Sequence, residues 1–261
     1  MAASSSSTLF SVAGKNVLIT GGSRGIGAMI AKGFQEAGAN VLLTSRSEEA
    51  SKQASQAIPG SQYVASNVSS RQGCEALAEH VAKVFDNRLD VLINNAGTSW
   101  GEPLERKSGR ANWGFDKVFD LNVKGVFYLT RVCLPLLENG ATPEDPARII
   151  NIGSVVGMTP QEAPTHAYDA SKAAVHNMTK KFAADLAPKH ITGRMSAGLG
   201  TWGPKPEEIS KATPLGRMGN EDDMAGACIY FSSRAGSWCT GVILNVDGGS
   251  VGAMQIPLAS L

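Results

Sequence analysis

A glycine-rich turn joins the first apolar segment of the chain to the first helical pattern. Asn16–Thr20 is a short apolar run, the turn Thr20-Gly-Gly-Ser-Arg-Gly-Ile-Gly27 follows it, and helical spacing continues over Ile26–Ala37. Glycines let such a turn be tight and let the backbone approach an anion at the helix N-terminus. The glycines concerned are Gly21, Gly25 and Gly27. The segment predicts a strand, a phosphate-binding turn and a helix.

The rest of the chain alternates short apolar runs with helical patterns. Asp90–Asn94 has a continuous apolar centre, which is typical of a strand buried on both faces of a parallel sheet. The other predicted strands are Val41–Thr44, Gln62–Ala65, Arg148–Ile152 and Val242–Val246. The predicted helices are Glu48–Ala57, Ser70–Phe85, Asn112–Glu138, Tyr168–Ala187 and Glu221–Ser233. This alternation predicts an α/β fold with a single Rossmann-like, doubly wound parallel sheet.

Composition favours one globular domain and excludes several classes of partner. The 261 residues are 43% apolar and carry a formal net charge of +1, which provides no basic surface for nucleic acid or anionic lipid. Apolar runs fall short of the ~18 residues that a membrane-spanning helix needs. The spacing of the cysteines predicts buried thiols in a reducing, cytoplasmic location, and the histidines have no metal-ligand spacing. Residues 1–11 are expected to form a disordered tail.

The first turn also admits a second interpretation. Gly21-Gly-Ser-Arg-Gly25 satisfies the G-x-S-x-G nucleophile elbow of α/β-hydrolases, another strand-turn-helix motif. An elbow on the first strand would be unusually early, and it would leave Gly27 unexplained. Replacing Ser23 by alanine separates the two interpretations, because a hydrolase would lose all turnover whereas a cofactor site would only bind more weakly.

The end of the second predicted strand bears on the choice of dinucleotide. In NAD enzymes of this architecture, an acidic residue about 20 positions after the turn binds the ribose 2′-hydroxyl. Here Ser45 and Arg46 follow the strand, and no carboxylate precedes Glu48. Arg46, together with Arg24 in the turn, is suited to hold a 2′-phosphate through charge-assisted hydrogen bonds. The sequence therefore predicts NADP(H) as the cofactor.

Three polar residues form a candidate catalytic group. Tyr168 and Lys172 are separated by four positions in a predicted helix, so their side chains share one face. A nearby cation favours the phenolate, and we expect Lys172 and an oxidised nicotinamide ring to lower the pKa of Tyr168. Ser154 follows a predicted strand at the edge where open α/β sheets bind ligands, and its hydroxyl suits a carbonyl oxygen that becomes an alkoxide. A Tyr-x-x-x-Lys pair alone is more often a surface contact.

In combination, these motifs resemble the short-chain dehydrogenase/reductase family from about Val12 to Gly249. The shared motifs are TGGSRGIG at 20–27, NNAG at 94–97, Asn122 in Leu-Asn-Val, Ser154, the Tyr168-x-x-x-Lys172 pair, PLGR at 214–217 and VDGG at 246–249. Segments 94–101 and 150–157 are most similar to 3-oxoacyl-[acyl-carrier-protein] reductases, especially the rhamnolipid-pathway branch and its fungal relatives. The resemblance implies one NADP-binding domain over residues 12–261.

The resemblance also implies a role for each matching residue. Tyr168 would be the general acid, Lys172 would lower its pKa and hold the nicotinamide ribose, Ser154 would polarise the carbonyl, and Asn122 would support a water-linked proton relay. The implied cofactor-binding residues are Gly21, Ser23, Arg24, Ile26, Gly27, Ser45, Arg46, Asn67, Val68, Asn95, Ala96 and Gly97, with Tyr168 and Lys172. A homodimer or homotetramer assembled through the helices Asn112–Glu138 and Tyr168–Ala187 is a further implication.

One segment departs from the family pattern. Where the family has a sixth strand, only Ile191 and Thr192 have strand character, whereas buried strands usually take about 5–6 residues. We therefore expect this strand to be missing or shortened near Ile191–Gly193, through a shortened gene product, a rewired sheet or a stretch omitted from the sequence. Met195–Ala212 is expected to form the lid of the site.

The leading hypothesis is an NADPH-dependent ketoreductase of secondary metabolism. Its substrate would be a small-molecule carbonyl such as a β-keto acyl thioester or polyketide. One alternative is an alcohol or polyol dehydrogenase on the same scaffold. The other is a cofactor-binding protein whose turnover is impaired because the strand is missing.

Overall fold

A single parallel sheet organises the molecule. The computed structural model describes residues 6–106, 113–159, 163–198 and 206–252. Within them, seven strands lie in the order β3-β2-β1-β4-β5-β6-β7. The strands are β1 (Asn16–Thr20), β2 (Asn40–Ser45), β3 (Gln62–Ala65), β4 (Val91–Asn94), β5 (Ala147–Ser154), β6 (Ile191–Gly198) and β7 (Ile243–Val246). The order reverses between β1 and β4, which confirms the predicted doubly wound fold and places a ligand crevice at their carboxyl ends.

Helices connect the strands and cover the sheet. They are α1 (Ser6–Leu9), α2 (Gly25–Glu36), α3 (Glu48–Ala57), α4 (Arg71–Val84), α5 (Trp113–Phe119), α6 (Val126–Gly140), α7 (His166–Leu186), α8 (Pro206–Ala212) and α9 (Glu221–Ser232). The helical turn α1 lies in a stretch where the sequence predicts a disordered tail. A π-helical turn, Asp120–Gly125, joins α5 to α6 and interrupts the regular helix predicted there.

Alternate residues of the central strands enter two apolar layers. Leu18 and Leu92 pack with α4 and α6 on one face of the sheet, and Ile19 and Ile93 pack with α2 and α9 on the other. All four side chains are fully buried, and each burial stabilises the fold by about 1.5–3 kcal/mol. Because both faces are covered, the central strands are apolar throughout rather than alternating. Among the described residues, no helix is long and apolar enough to span a bilayer.

The sixth strand is present, so the prediction that it is missing or shortened is wrong. β6 pairs with β5 along its whole length, from Ala147 opposite Ile191 to Ser154 opposite Gly198. On its other side it pairs with β7 over its last four residues. These two ladders provide partners for backbone groups that a missing strand would have left unsatisfied.

Tertiary packing explains why the sequence conceals this strand. Glycine normally weakens a strand, yet a Cβ at Gly193 would lie 3.0 Å from both the Ala183 nitrogen and the Thr179 carbonyl oxygen of α7. The glycine therefore lets α7 pack directly on the sheet. Arg194, next to it, breaks the apolar pattern because its charge is normally found at the surface.

Arg194 is nevertheless fully buried. Its guanidinium carbon lies 5.7 Å from the centroid of the Phe231 ring. It donates hydrogen bonds to the backbone carbonyls of Phe231, Ser237 and Cys239. Burial and the charge of Arg148 lower the pKa of Arg194 to about 9. The side chain is accommodated by carbonyl acceptors and an aromatic face, which sequence periodicity does not reveal.

The segment predicted as the lid, Met195–Ala212, is divided in the structure. Met195–Gly198 belongs to β6, and Pro206–Ala212 is α8. The rest of that segment, residues 199–205, lies outside the described residues. All four cysteines are free thiols, three of them buried and Cys239 half-buried.

Candidate active site

The glycine-rich turn lies between the carboxyl end of β1 and the start of α2. Gly21 has a φ of +65°, and a Cβ at this residue would lie 2.9 Å from the Asn95 side-chain nitrogen. A Cβ at Gly27 would lie 2.2 Å from the Gly21 carbonyl oxygen. Arg24 precedes α2 without capping it through its side chain. The first N–H groups of α2 therefore remain suitable donors for a phosphate.

Thr20 and Asn95 fasten this turn to the carboxyl end of β4. The Thr20 hydroxyl accepts hydrogen bonds from the backbone nitrogens of Asn95 and Ala96, each at 3.0 Å. In the opposite direction, the Asn95 side-chain nitrogen donates to the carbonyl oxygens of Thr20 and Gly21, at 2.9 and 3.1 Å. Asn95, which is expected to lie beside the ribose, thus also fixes the shape of the glycine-rich turn.

A cleft of about 960 Å³ opens along these carboxyl ends. It contains most of the residues that the sequence assigned to the cofactor: Gly21, Ser23, Arg24, Ile26, Gly27, Ser45, Arg46, Val68, Asn95, Ala96 and Gly97. Glycines that admit a ligand to the backbone, helix N–H donors and arginines fit a dinucleotide with phosphate groups. Among the described residues that line the cleft there is no histidine to form a nucleophile–base pair with Ser23, which argues against the hydrolase interpretation.

Three of the predicted cofactor residues lie outside the walls of this cleft. Asn67 directs its side-chain oxygen to Ser69, accepting from the backbone nitrogen at 3.3 Å and from the hydroxyl at 2.7 Å. Tyr168 and Lys172 lie in α7, where Tyr168 is half-buried and Lys172 is buried. The structure therefore brings together the phosphate and ribose residues but does not place Asn67 with them.

α7 brings Tyr168 and Lys172 together as their spacing predicts. The Lys172 ammonium lies 5.5 Å from the centre of the Tyr168 ring. It donates a hydrogen bond of 2.7 Å to the backbone carbonyl of Ile152 at the end of β5. Burial lowers the pKa of Lys172 to about 8. Because Lys172 is buried and Tyr168 is half-buried, the pair is not an exposed surface contact.

The pKa of Tyr168 differs from the expectation. Burial raises it above its ordinary value, and the nearby Ser154 hydroxyl only partly opposes that rise. In the chain without cofactor Lys172 does not lower this pKa, because its ammonium hydrogen bonds to the Ile152 carbonyl and not to the phenol. The phenol consequently keeps its proton at neutral pH. Lowering by Lys172 together with an oxidised nicotinamide stays a prediction.

Ser154 ends β5 with its side chain buried. Its hydroxyl lies close enough to the Tyr168 phenol to affect the pKa of that phenol. It makes no well-formed hydrogen bond to any of the described residues. A buried polar group normally has a partner. Such a group beside the Tyr168 phenol is suited to receive the oxygen of a bound carbonyl.

Asn122 lies in the π-helical turn and is almost fully buried. Its side-chain oxygen accepts from the Thr98 backbone nitrogen at 2.9 Å. Its side-chain nitrogen donates to the Thr98 carbonyl and to the Ser171 hydroxyl, both at 3.0 Å. Single-turn π segments are frequent at functional sites. Both amide protons of Asn122 are used by the protein itself.

Comparison with known proteins agrees with this geometry. A family model described as short chain dehydrogenase matches residues 15–197. The chain belongs to the short-chain dehydrogenase/reductase family. The resemblance carried by the glycine turn and the Tyr168-x-x-x-Lys172 pair is thereby confirmed at the level of the family.

Several dehydrogenase/reductase relatives cover nearly the whole chain. The rhamnolipids biosynthesis 3-oxoacyl-[acyl-carrier-protein] reductase of Pseudomonas aeruginosa is 39% identical over 253 residues, which cover 92% of this chain and 97% of that protein. The L-fucose dehydrogenase of Bos taurus is 32% identical over 252 residues, covering 91% and 90%. The solved structure of the Pseudomonas aeruginosa RhlG/NADP active-site complex has a TM-score of 0.85 at 38% identity, covering 94% of this chain and 99% of that one.

The cleft of this dehydrogenase/reductase also contains residues that sequence reasoning did not assign to the site. They are Met29, Thr44, Ser66, Leu121, Thr213–Leu215, Arg217–Gly219, Asp223, Met224 and Asn245–Gly249. The PLGR motif at 214–217 and the VDGG motif at 246–249 could have pointed to the C-terminal residues of this set, but the sequence analysis assigned them no role in the site.

Proposed function

We propose that this chain is an NADPH-dependent ketoreductase that reduces the carbonyl of a β-keto acyl thioester, a polyketide or a similar metabolite. The observation that carries the proposal is the group formed by buried Ser154, half-buried Tyr168 and buried Lys172 at the carboxyl end of β5, in a fold whose cleft at the carboxyl ends of the strands fits a dinucleotide. The 39% identity to a 3-oxoacyl-[acyl-carrier-protein] reductase supports an acyl-thioester substrate.

The side chains divide the chemistry of carbonyl reduction between them. When bound, the nicotinamide would supply the hydride that adds to the carbonyl carbon. Tyr168 donates its phenol proton to the carbonyl oxygen, for which the raised pKa is favourable because the donor stays protonated at neutral pH. Ser154 orients that oxygen with its otherwise unpaired hydroxyl.

Lys172 and Asn122 serve the return of a proton to Tyr168. The Lys172 ammonium lies 5.5 Å from the centre of the phenol ring and, together with the oxidised nicotinamide, would favour the phenolate left after proton donation. Because both amide protons of Asn122 are engaged with Thr98 and Ser171, it can support a water-linked relay only through an oxygen acceptor.

A preference for NADPH over NADH is part of the proposal. Arg24 and Arg46 line the cleft, whereas Glu48 and Glu49 begin α3 and do not line it. The similarity to the RhlG/NADP complex supports the same preference. Replacing Arg46 by alanine should raise the KM for NADPH and leave the KM for NADH nearly unchanged. A wild type that prefers NADH would overturn this part.

Oxidation of NADPH, followed at 340 nm, tests the activity. The substrates are β-keto acyl thioesters, quinones, polyphenols and sugars, and the Tyr168→Phe variant is the matched control because it removes only the phenol oxygen. We expect thioester-dependent oxidation by the wild type and none by the variant. Turnover that persists in Tyr168→Phe would refute the general-acid assignment.

The second candidate is an alcohol or polyol dehydrogenase, which the similarity to an L-fucose dehydrogenase favours. Oxidation of sugars with NAD⁺ or NADP⁺, without reduction of thioesters, would select it. The third alternative, a cofactor-binding protein with impaired turnover, was based on a missing sixth strand. The presence of β6 removes that basis.

We also infer that the protein forms a symmetric homodimer or homotetramer through α5, α6 and α7. Phe115 of α5 and Phe127 of α6 are both exposed, and Phe127 stacks on Phe182 of α7. Exposed aromatic rings of this kind are enriched at protein interfaces. Light scattering after size exclusion should give two or four times the 27.3 kDa chain mass. Particles of one chain mass would contradict this inference.

A further inference from the structure

Ser171 joins the turn that carries both catalytic side chains to the rest of the site. It is fully buried in α7, between Tyr168 and Lys172. Its hydroxyl donates to the Tyr168 backbone carbonyl at 2.7 Å and accepts from the Asn122 side-chain nitrogen at 3.0 Å. One hydroxyl therefore uses its proton and an oxygen lone pair to connect α7 with the π-helical turn.

The connection continues to the loop after β4. The Asn122 amide binds both the N–H and the carbonyl of Thr98, at 2.9 and 3.0 Å. Thr98 directly follows Gly97, which lines the dinucleotide cleft. A continuous set of hydrogen bonds thus runs from the cofactor side of the site to the turn that holds the proton donor.

We propose that Ser171 is a positioning residue that sets Tyr168 and Lys172 in register with the cofactor loop through Asn122. The kinetic part of this proposal rests on the proposed ketoreductase function. Hydride and proton reach the same carbonyl group from different elements of the fold, so their spacing depends on how those elements are joined. A displacement of about 1 Å is sufficient to lower a rate by about 100-fold.

Removing the hydroxyl leaves an Asn122 N–H buried without an acceptor. Asn122 is only 2% exposed, so water cannot replace the lost partner unless the turn moves. The structure can relieve the unsatisfied group by letting the first turn of α7 separate from the π-helical turn. That movement would displace Tyr168, which does not line the dinucleotide cleft.

Thr179 provides a matched control on the same helix. Its fully buried hydroxyl donates to the Val175 carbonyl at 2.8 Å and accepts from the Asn151 side-chain nitrogen at 2.8 Å. It lies two helical turns beyond Ser171, about 12 Å along the axis. Thr179→Val therefore removes an equivalent pair of hydrogen bonds without reaching the catalytic turn.

The test compares Ser171→Ala with Thr179→Val. We expect both variants to lose thermal stability, but only Ser171→Ala to lower kcat, by about 10- to 100-fold, with KM for the carbonyl and Kd for NADPH within about two-fold of the wild type. A kcat for Ser171→Ala equal to that of Thr179→Val would overturn the proposal, as would a loss confined to NADPH affinity.

Hydrogen exchange of the Thr98 amide gives a measurement that needs no turnover. Because Asn122 protects this amide directly, Ser171→Ala should accelerate its exchange, and Thr179→Val should not. Unchanged exchange at Thr98 refutes the connection. If the wild type reduces no carbonyl compound, the ketoreductase proposal fails, while this exchange result still decides whether Ser171 holds the two elements together.

A second pair of variants tests the same proposal if Ser171→Ala folds poorly. Ser171→Thr and Ser171→Val have the same shape and crowd the site equally, but only the threonine keeps the hydroxyl. Faster Thr98 exchange and lower kcat in Ser171→Val than in Ser171→Thr are expected. Equal values in the two variants would show that the hydroxyl has no positioning role.

Discussion

Asp145 is the shared acceptor of two buried cations at the amino end of the sheet, and its loss should destabilise the protein markedly. Lys15 donates to one carboxylate oxygen at 2.7 Å, and Arg148 pairs with the other. Their side chains are 11% and 1% exposed, respectively. Replacing Asp145 by asparagine keeps the shape but leaves both cations without this negative charge.

The expected loss of stability follows from how deeply the two cations and Asp145 are buried. Removing one partner of a fully buried ion pair costs about 3–5 kcal/mol. Asp145 itself is 41% exposed, so water screens part of the interaction, and we expect about 2–3 kcal/mol for Asp145→Asn. The control is Asp185→Asn, which breaks the exposed pair between Lys181 and Asp185 and should cost about 0.3–0.5 kcal/mol.

Urea unfolding at pH 7 measures both free energies, and thermal melts should show Tm lowered by about 4–12 °C for Asp145→Asn. Burial acts to raise the pKa of Asp145, but the hydrogen bonds and charges of Lys15 and Arg148 outweigh it, so the pKa is lowered. The stabilisation by the ionised Asp145 carboxylate is therefore complete above its pKa in the unfolded chain, about 3.9. It is lost as the pH falls through the lower pKa of Asp145 in the folded protein. The free energies of unfolding of the wild type and of Asp145→Asn should accordingly become equal at acidic pH. An Asp145→Asn variant as stable as Asp185→Asn at pH 7 would refute this reasoning.

Three further outcomes follow from the site. Burial lowers the pKa of Lys172 to about 8, so the cost of burying its charge develops as the pH falls from the unfolded pKa of about 10.4 and is complete below about 8. Lys172→Met should therefore raise the free energy of unfolding at pH 7, by less than the full cost of the buried charge because the Ile152 carbonyl loses its donor, while abolishing turnover; a lower urea midpoint would contradict this. Wild-type reduction should decline as the pH rises through about 8, where Lys172 loses its proton, and a profile flat to pH 10 would exclude a required ammonium. Gly27→Ala places a Cβ 2.2 Å from a carbonyl oxygen and should weaken NADPH binding by more than about 10-fold in fluorescence titrations. Gly226→Ala, in open space on α9, should leave binding unchanged and stabilise the helix by about 0.5–1 kcal/mol.

Sequence periodicity does not predict the sixth strand. Ile191–Gly198 contains two glycines, a serine and an arginine, which together give little intrinsic preference for a strand. Hydrogen bonding to β5 and β7 compensates for that weakness. The position of Arg194 depends on Phe231 and on carbonyls more than thirty residues away, so no local window contains the information.

The candidate site was predictable to different degrees. Helical spacing placed Tyr168 beside Lys172, and the end of a strand placed Ser154 with them. The pKa of Tyr168 was not predictable, because it depends on burial that only the assembled helix and sheet produce. Ser171 was overlooked for the same reason: its role depends on Asn122, which is 49 residues away in the chain.

The sequence by itself determined the alternation of strands and helices and the glycine-rich turn, because each of these depends on local spacing, and its motifs indicated the family and the candidate catalytic residues. Only the tertiary structure decided that Ile191–Gly198 completes the sheet, that Arg194 is buried, and that Asn122 and Ser171 join the two halves of the site. These features depend on hydrogen-bond acceptors and apolar surfaces supplied by distant parts of the chain, and they exist only once those parts have packed together.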